Sequence, residues 1–202
     1  MRRTFRILFG LIVLLPLFAQ AGVKFTYTWK SPTAQPVIFA GKKVAVLLMS
    51  KNRAPRRAAE AALAKEITKR GAEGIAASEL ITDTEMNDQE IMKTRFKEQN
   101  VSGVLAIRGT PKGDESYDPD MWKNPMYKDV WGFTSRSWSQ DGTEPKQVRF
   151  IVEMAVYSLE QNQLIWLGTT EMKSKKLSEF IQTVVDEIAE EMQKEDLLAK
   201  KQ

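Results

Sequence analysis

The sequence predicts an α/β fold, a two- or three-layer sandwich built on a mixed sheet. Three observations lead there. Short apolar runs that suit buried strands, "VAVLLM" (44–49) and "VSGVLAIRG" (101–109), alternate with helical stretches. "QVRFIVEMAVYSLE" and "QLIWLGTTEMK" flank the turn "EQNQ" as a β-hairpin. The chain then closes on its clearest helical period, Ile181, Val184, Val185, Ile188 and Met192, with Asp and Glu opposite. The order is β-(βαβαβ)-β-hairpin-α, and such elements bury their apolar faces as stacked layers.

Each element has its own signal. "VKFTYTWK" alternates Val23, Phe25, Tyr27 and Trp29 with Lys24, Thr26, Thr28 and Lys30, the pattern of a half-buried strand. "SPTAQP" is a proline-punctuated connector. In "RRAAEAALAKEITKRG", Ala59, Leu63 and Ile67 repeat at helical spacing, and Gly71 stands where the helix stops. "GIAASELI" reads as a strand. Asn87 or Asp88 caps "DQEIMKTRFKEQN", a helix expected to bury Ile91, Met92 and Phe96. The tail "KEDLLAKKQ" is expected to fray. No repeat or second domain is visible, which leaves one domain over 22–202 with an insertion at 111–145.

Composition bounds the function. With 43% apolar and 28% charged residues, the 202-residue chain has the balance of an ordinary globular domain. Residues 1–21 stand apart: "MRRTFR", the apolar run "ILFGLIVLLPLFA" and the small-x-small "AQA" describe a cleaved secretory signal peptide. The alternative is an uncleaved N-terminal membrane anchor. "RRTF" touches the twin-arginine pattern, but nothing downstream calls for a cofactor loaded before export, and none is expected. The protein is therefore expected in the periplasm or outside the cell, with no membrane span after cleavage. Arg2, Arg3 and Arg6 leave with that segment, so a net charge of +4 falls to +1. Net charge then gives no case for a nucleic-acid partner. Cysteine and histidine are both absent. Disulfides, an acylated cysteine, Ser-His-Asp and Cys-His nucleophiles and His- or Cys-ligated metals are excluded with them.

The series "KKVAVLLMS", "AAEAALAKEITKRG", "VSGVLAIRGT", "VRFIVEMAVYSLEQNQLIWLGTTEMK" and "FIQTVVDEIAEEM" resembles a group of exported envelope proteins. The group includes the curli-secretion lipoproteins, the N-terminal domain of the periplasmic Tol-system propeller protein and several uncharacterised lipoprotein families. The resemblance spans about residues 23–192 and implies an envelope α/β domain. This chain departs from the group in lacking the lipobox cysteine, and it has "VSG" where many relatives carry an Asp at the start of that strand.

Four segments are candidate sites. "MWKNPMYKDVWGFTSRSW" (121–138) holds three of the five tryptophans and shows no regular period. Exposed, that aromatic surface would be an aggregation hazard, so it either packs on the domain or meets a partner. As a recognition loop, its anchors are Trp122, Tyr127, Trp131, Phe133 and Trp138, and the partner is an envelope protein or a peptidoglycan or outer-membrane component. Pro125, Gly132 and the lack of sustained alternation do not fit a pore hairpin. "SKNRAPRR" gathers Lys51, Arg53, Arg56 and Arg57 at a helix N-terminus, where Arg53, Arg56 and Arg57 would hold an anion. "GDESYDPD" clusters Asp114, Glu115, Asp118 and Asp120 without the EF-hand spacing, which favours an acidic turn. Glu153 with Asp118 or Glu144 is the one route to carboxylate hydrolysis, but its strand neighbours Arg149 and Tyr157 point to the same side, which more simply suggests a polar face with an ion pair. The expected function is non-catalytic: an exported envelope accessory module that binds through its aromatic loop. The alternatives are a small-ligand binder or hydrolase lidded by the loop, and a self-assembling subunit.

Overall fold

The computed structural model describes residues 25–111, 120–139, 150–172, 180–182 and 184–199. The signal segment 1–21 and Asp114, Glu115, Asp118 and Glu144 lie outside the described residues. In chain order the elements are β1 (Phe25–Lys30), β2 (Lys43–Leu48), α1 (Arg53–Lys69), β3 (Glu73–Ala76), α2 (Ala77–Leu80) and α3 (Gln89–Glu98). They continue with β4 (Val101–Pro111), α4 (Val130–Ser139), β5 (Phe150–Ser158), β6 (Gln163–Met172) and α5 (Val185–Lys194). The six strands make one mixed sheet in the order β1-β6-β5-β4-β2-β3. β2 runs parallel to β3 and β4, and every other pairing is antiparallel.

The layers number three. Along β2, Val44, Val46 and Leu48 face one core with Leu63 and Ile67 of α1 and Ile188 and Met192 of α5. Ala45 and Leu47 face a second core with Met92 and Phe96 of α3 and Tyr127, Val130 and Phe133 of the insertion. A central strand buried on both faces needs a continuous apolar run, which "VAVLLM" supplies.

Local signals explain the helix ends. Gly71 takes a φ of 87° just past α1, a conformation open to glycine at no steric cost. Asp88 caps α3 by accepting the Glu90 and Ile91 amides at 3.0 and 3.1 Å, and Asn100 closes it with a φ of 55°. Past α5, Asp196 turns left-handed at 58°, and the Leu197 amide donates back to the Met192 carbonyl at 2.9 Å. That is a Schellman closure. It folds the start of the tail inward: Leu197 and Leu198 are 1% and 2% exposed, so the tail packs through Leu198 where fraying was expected, and 200–202 lie outside the described residues.

Other expectations need correction. The segment without a visible period contains two 3-10 turns, Met121–Lys123 and Pro125–Tyr127, and then α4. Asn124 caps the second turn and Pro125 opens it, an arrangement too short to show a period. "GIAASELI" is strand only to Ala76 before α2 begins. Ile91 lies one residue off the Met92–Phe96 stripe and is exposed. In β1 a bulge between Phe25 and Tyr27 breaks the strict alternation. Phe25 meets Trp166 on the α1/α5 face, whereas Trp29 faces the insertion.

Candidate functional site

The insertion sits on the α3 side of the sheet, and its anchors divide into two groups. Tyr127 and Phe133 are buried at 2% and 0% exposure. Their rings continue into Tyr157 of β5, with centroids 5.6 and 6.0 Å apart. Tyr127 and Phe133 are thus core residues, not projecting ones. Beneath them, Arg108 of β4 and Glu153 of β5 lie directly opposite each other. Arg108 Nε donates to Glu153 Oε2 at 2.7 Å, and Nη2 lies 2.6 Å from the same oxygen. Arg108 Nη2 also donates to the Tyr127 hydroxyl, which donates on to Glu153 Oε2 at 2.8 Å. The guanidinium lies 4.7 Å from the Phe133 ring centre. A buried ion pair is costly unless fully bonded, and the insertion supplies one of the missing bonds. Burial, and then the neighbouring Glu153 charge, push the Tyr127 hydroxyl pKa well up, so it stays a donor. Burial raises the Tyr157 hydroxyl likewise, and that hydroxyl has no hydrogen-bond partner among the described residues. Glu153 is ion-paired, but with Arg108 of the neighbouring strand; Arg149, the same-strand neighbour behind the expectation, lies outside the described residues. An oxygen that already takes these donors is poorly placed to accept a proton from a substrate.

The tryptophans form the outer part. Trp122 stacks on Trp29 of β1, with centroids 5.0 Å apart and planes 17° off parallel. Trp131 leans on Phe96 of α3 at 6.1 Å, and Gln89 Nε2 donates to its carbonyl at 3.0 Å. Lys123 lies over Trp122 and Lys93 over Trp131 at 5.2 and 5.6 Å. Trp29, Trp122 and Trp131 are half-buried on one side of the sheet. Trp138 lies on α4, with its side chain outside the described residues.

The arginine cluster meets an anion of the chain itself. Arg53 Nε and Arg57 Nη2 lie 3.0 and 3.3 Å from Asp83 Oδ2, and Arg56 Nη2 pairs with Oδ1. Arg56, first among the three, holds the Asp83 pKa below the ordinary value. One turn on, the buried Glu60 carboxylate accepts the Leu48 and Ser78 amides at 3.0 and 3.1 Å, and burial raises its pKa. Sequence reasoning missed Asp83, Arg108 and the stacking role of Trp29. Only the turn-like "TDT" around Asp83 and the lone Arg108 in an apolar strand signalled them.

No protein-family model matches the chain, and no curated protein does. Among solved structures, the chain is similar to two PelC dodecamers from Paraburkholderia phytofirmans. One, a single-substitution variant, is 14% identical at a TM-score of 0.42, over 86% of this chain and 99% of that one. The other is 12% identical at 0.43, over 87% and 97%. That likeness concerns fold and assigns no residue a role. Among the described residues, no cluster of Asp and Glu is arranged to hold a metal ion, and no helix is long and apolar enough to cross a membrane.

Proposed function

We propose that the chain is a non-catalytic, exported accessory module of the cell envelope that binds an envelope protein through its aromatic insertion. The observation that carries this reading is the ledge of Trp122, Trp29 and Trp131. These large rings are half-buried on one side of the sheet, Trp122 stacked on Trp29 and Trp131 against Phe96. All three pack on the core cluster that contains buried Tyr127 and Phe133. Rigid aromatic anchors lose little entropy on binding, which is why tryptophan dominates interface hot spots. The signal-like N-terminus and the motif resemblance support the envelope setting.

The test places a photoreactive benzoylphenylalanine at Lys123, the exposed neighbour of Trp122, or at Glu190, exposed on α5. Crosslinking is run in the native host. The expected result is a discrete heterologous adduct from Lys123 alone, lost in Trp122→Ala/Trp131→Ala while the variant keeps its circular dichroism. Equal adducts from both positions, none from Lys123, or unfolding of the double variant would overturn the reading. An adduct containing only this chain would favour the self-assembling alternative instead.

A further inference from the structure

The sheet has two edges of different character. β3 has four residues and runs straight into α2, which blunts that edge. β1 has six residues, and its sheet neighbour among the described residues is β6 alone. The Ser31 amide bonds the Ile165 carbonyl at 2.9 Å, and the register pairs Trp29 with Leu167. Ser31, Trp29 and Tyr27 therefore turn their backbone groups toward β6, and Thr28 and Lys30 turn theirs outward. No described residue bonds those outward groups.

The side chains that would guard this edge are drawn away from it. Lys30 Nζ donates to the Glu195 carbonyl at 2.6 Å, beneath the sheet. Thr26 Oγ1, in the bulge, donates to the Thr169 carbonyl at 3.1 Å. Exposed Thr28 stands at the middle of the regular stretch, flanked by Tyr27 and Trp29.

We propose that β1 is a homotypic pairing edge, which joins two copies of this chain antiparallel about a twofold axis at Thr28. The sequence of β1 is complementary to itself in that register. Thr28 meets Thr28, Tyr27 of each copy meets Trp29 of the other, and Lys30 meets Thr26. No like charges face each other, and Thr–Thr and aromatic pairs are among the favourable cross-strand combinations. A twofold interface needs this self-complementarity, and a strand that fitted only a foreign partner would not show it. The resulting sheet runs continuously through both copies. Trp29 belongs to both proposals, but failure of this pairing leaves the ledge reading standing, because Trp122 and Trp131 take no part in it.

The experiment is sedimentation equilibrium of the full chain, expressed with its own N-terminus, over a wide concentration range. The mass should double as concentration rises. Thr28→Pro removes the outward amide without touching the β6 ladder, a position where an edge strand tolerates proline. It should weaken association about tenfold or more, the size of two lost hydrogen bonds. Thr28→Lys and Thr28→Glu should each weaken self-association, and an equal mixture should restore it. Only pairing that brings position 28 against itself gives that rescue. Circular dichroism and Tm confirm folding, since the Thr28 side chain is exposed. A monomer at every concentration, or an oligomer indifferent to all three substitutions, would overturn the proposal. So would a proline variant that lost only a heterologous crosslink, because the edge would then belong to a partner's strand.

Discussion

Arg108 is the residue on which the insertion's seating turns. Its guanidinium bonds Glu153 across the strand pair, donates to the Tyr127 hydroxyl and lies against the Phe133 ring. Replacing it with methionine keeps much of the aliphatic volume but leaves a buried carboxylate without its cation. Arg108→Met should therefore lose about 3–5 kcal/mol in urea unfolding, and Arg108→Met/Glu153→Leu should recover most of that. If the double variant is as unstable as the single one, shape rather than charge governs the site. None of this could be read from one strand alone. The sequence shows Glu153 among apolar neighbours and invites an ion pair. Its partner depends on the β4–β5 register, which local pattern does not encode.

At the scale of elements, the chain was legible wherever one face repeats. Ala59, Leu63 and Ile67 are all fully buried, and so are Ile188 and Met192. The hairpin fell where expected because its two strands carry β-branched and aromatic runs around a polar turn. Legibility failed for α4 and the 3-10 turns, which draw their order from the sheet beneath them. The contact of α1 with α5 was also hidden: beside the shared apolar core, Arg70, just past α1, reaches α5. Arg70 Nε donates to Gln193 Oε1 at 3.0 Å, and its Nη2 lies 3.5 Å from Asp186. Arg70 Nη1 also donates to Glu66 Oε2 at 2.5 Å, and Lys69 pairs with the other carboxylate oxygen. Lys69, first among several causes, lowers the Glu66 pKa from 4.5 to about 2. A carboxyl whose pKa is lower in the folded than in the unfolded state adds stability above the unfolded value. That contribution fades as pH falls through the folded one. The Tm difference between the wild type and Glu66→Gln should thus be steady near neutrality and shrink from pH 4.5 to about 2. A difference that stayed constant in acid would place the contribution of Glu66 in packing instead.

At the scale of the molecule, both cores share the same central strands. Leu63 and Phe133 are each 0% exposed, on opposite faces of one sheet. Loss of either face exposes the apolar underside of β2, β4 and β5, so neither layer should persist without the other. Leu63→Ala should cost about 2–5 kcal/mol and Phe133→Ala about 3–5 kcal/mol. Each should lower one common transition, with tryptophan fluorescence and far-ultraviolet circular dichroism coinciding. This bears directly on the proposed binding ledge. A ledge can offer rigid anchors only if the insertion melts with the domain, since a separately melting segment would lose entropy on ordering at each encounter. If Phe133→Ala leaves the main transition in place and adds an early, partial one in fluorescence, the insertion is an independent unit. The ledge would then have to be built by its partner, and the tryptophans would owe their places to binding instead of to the fold.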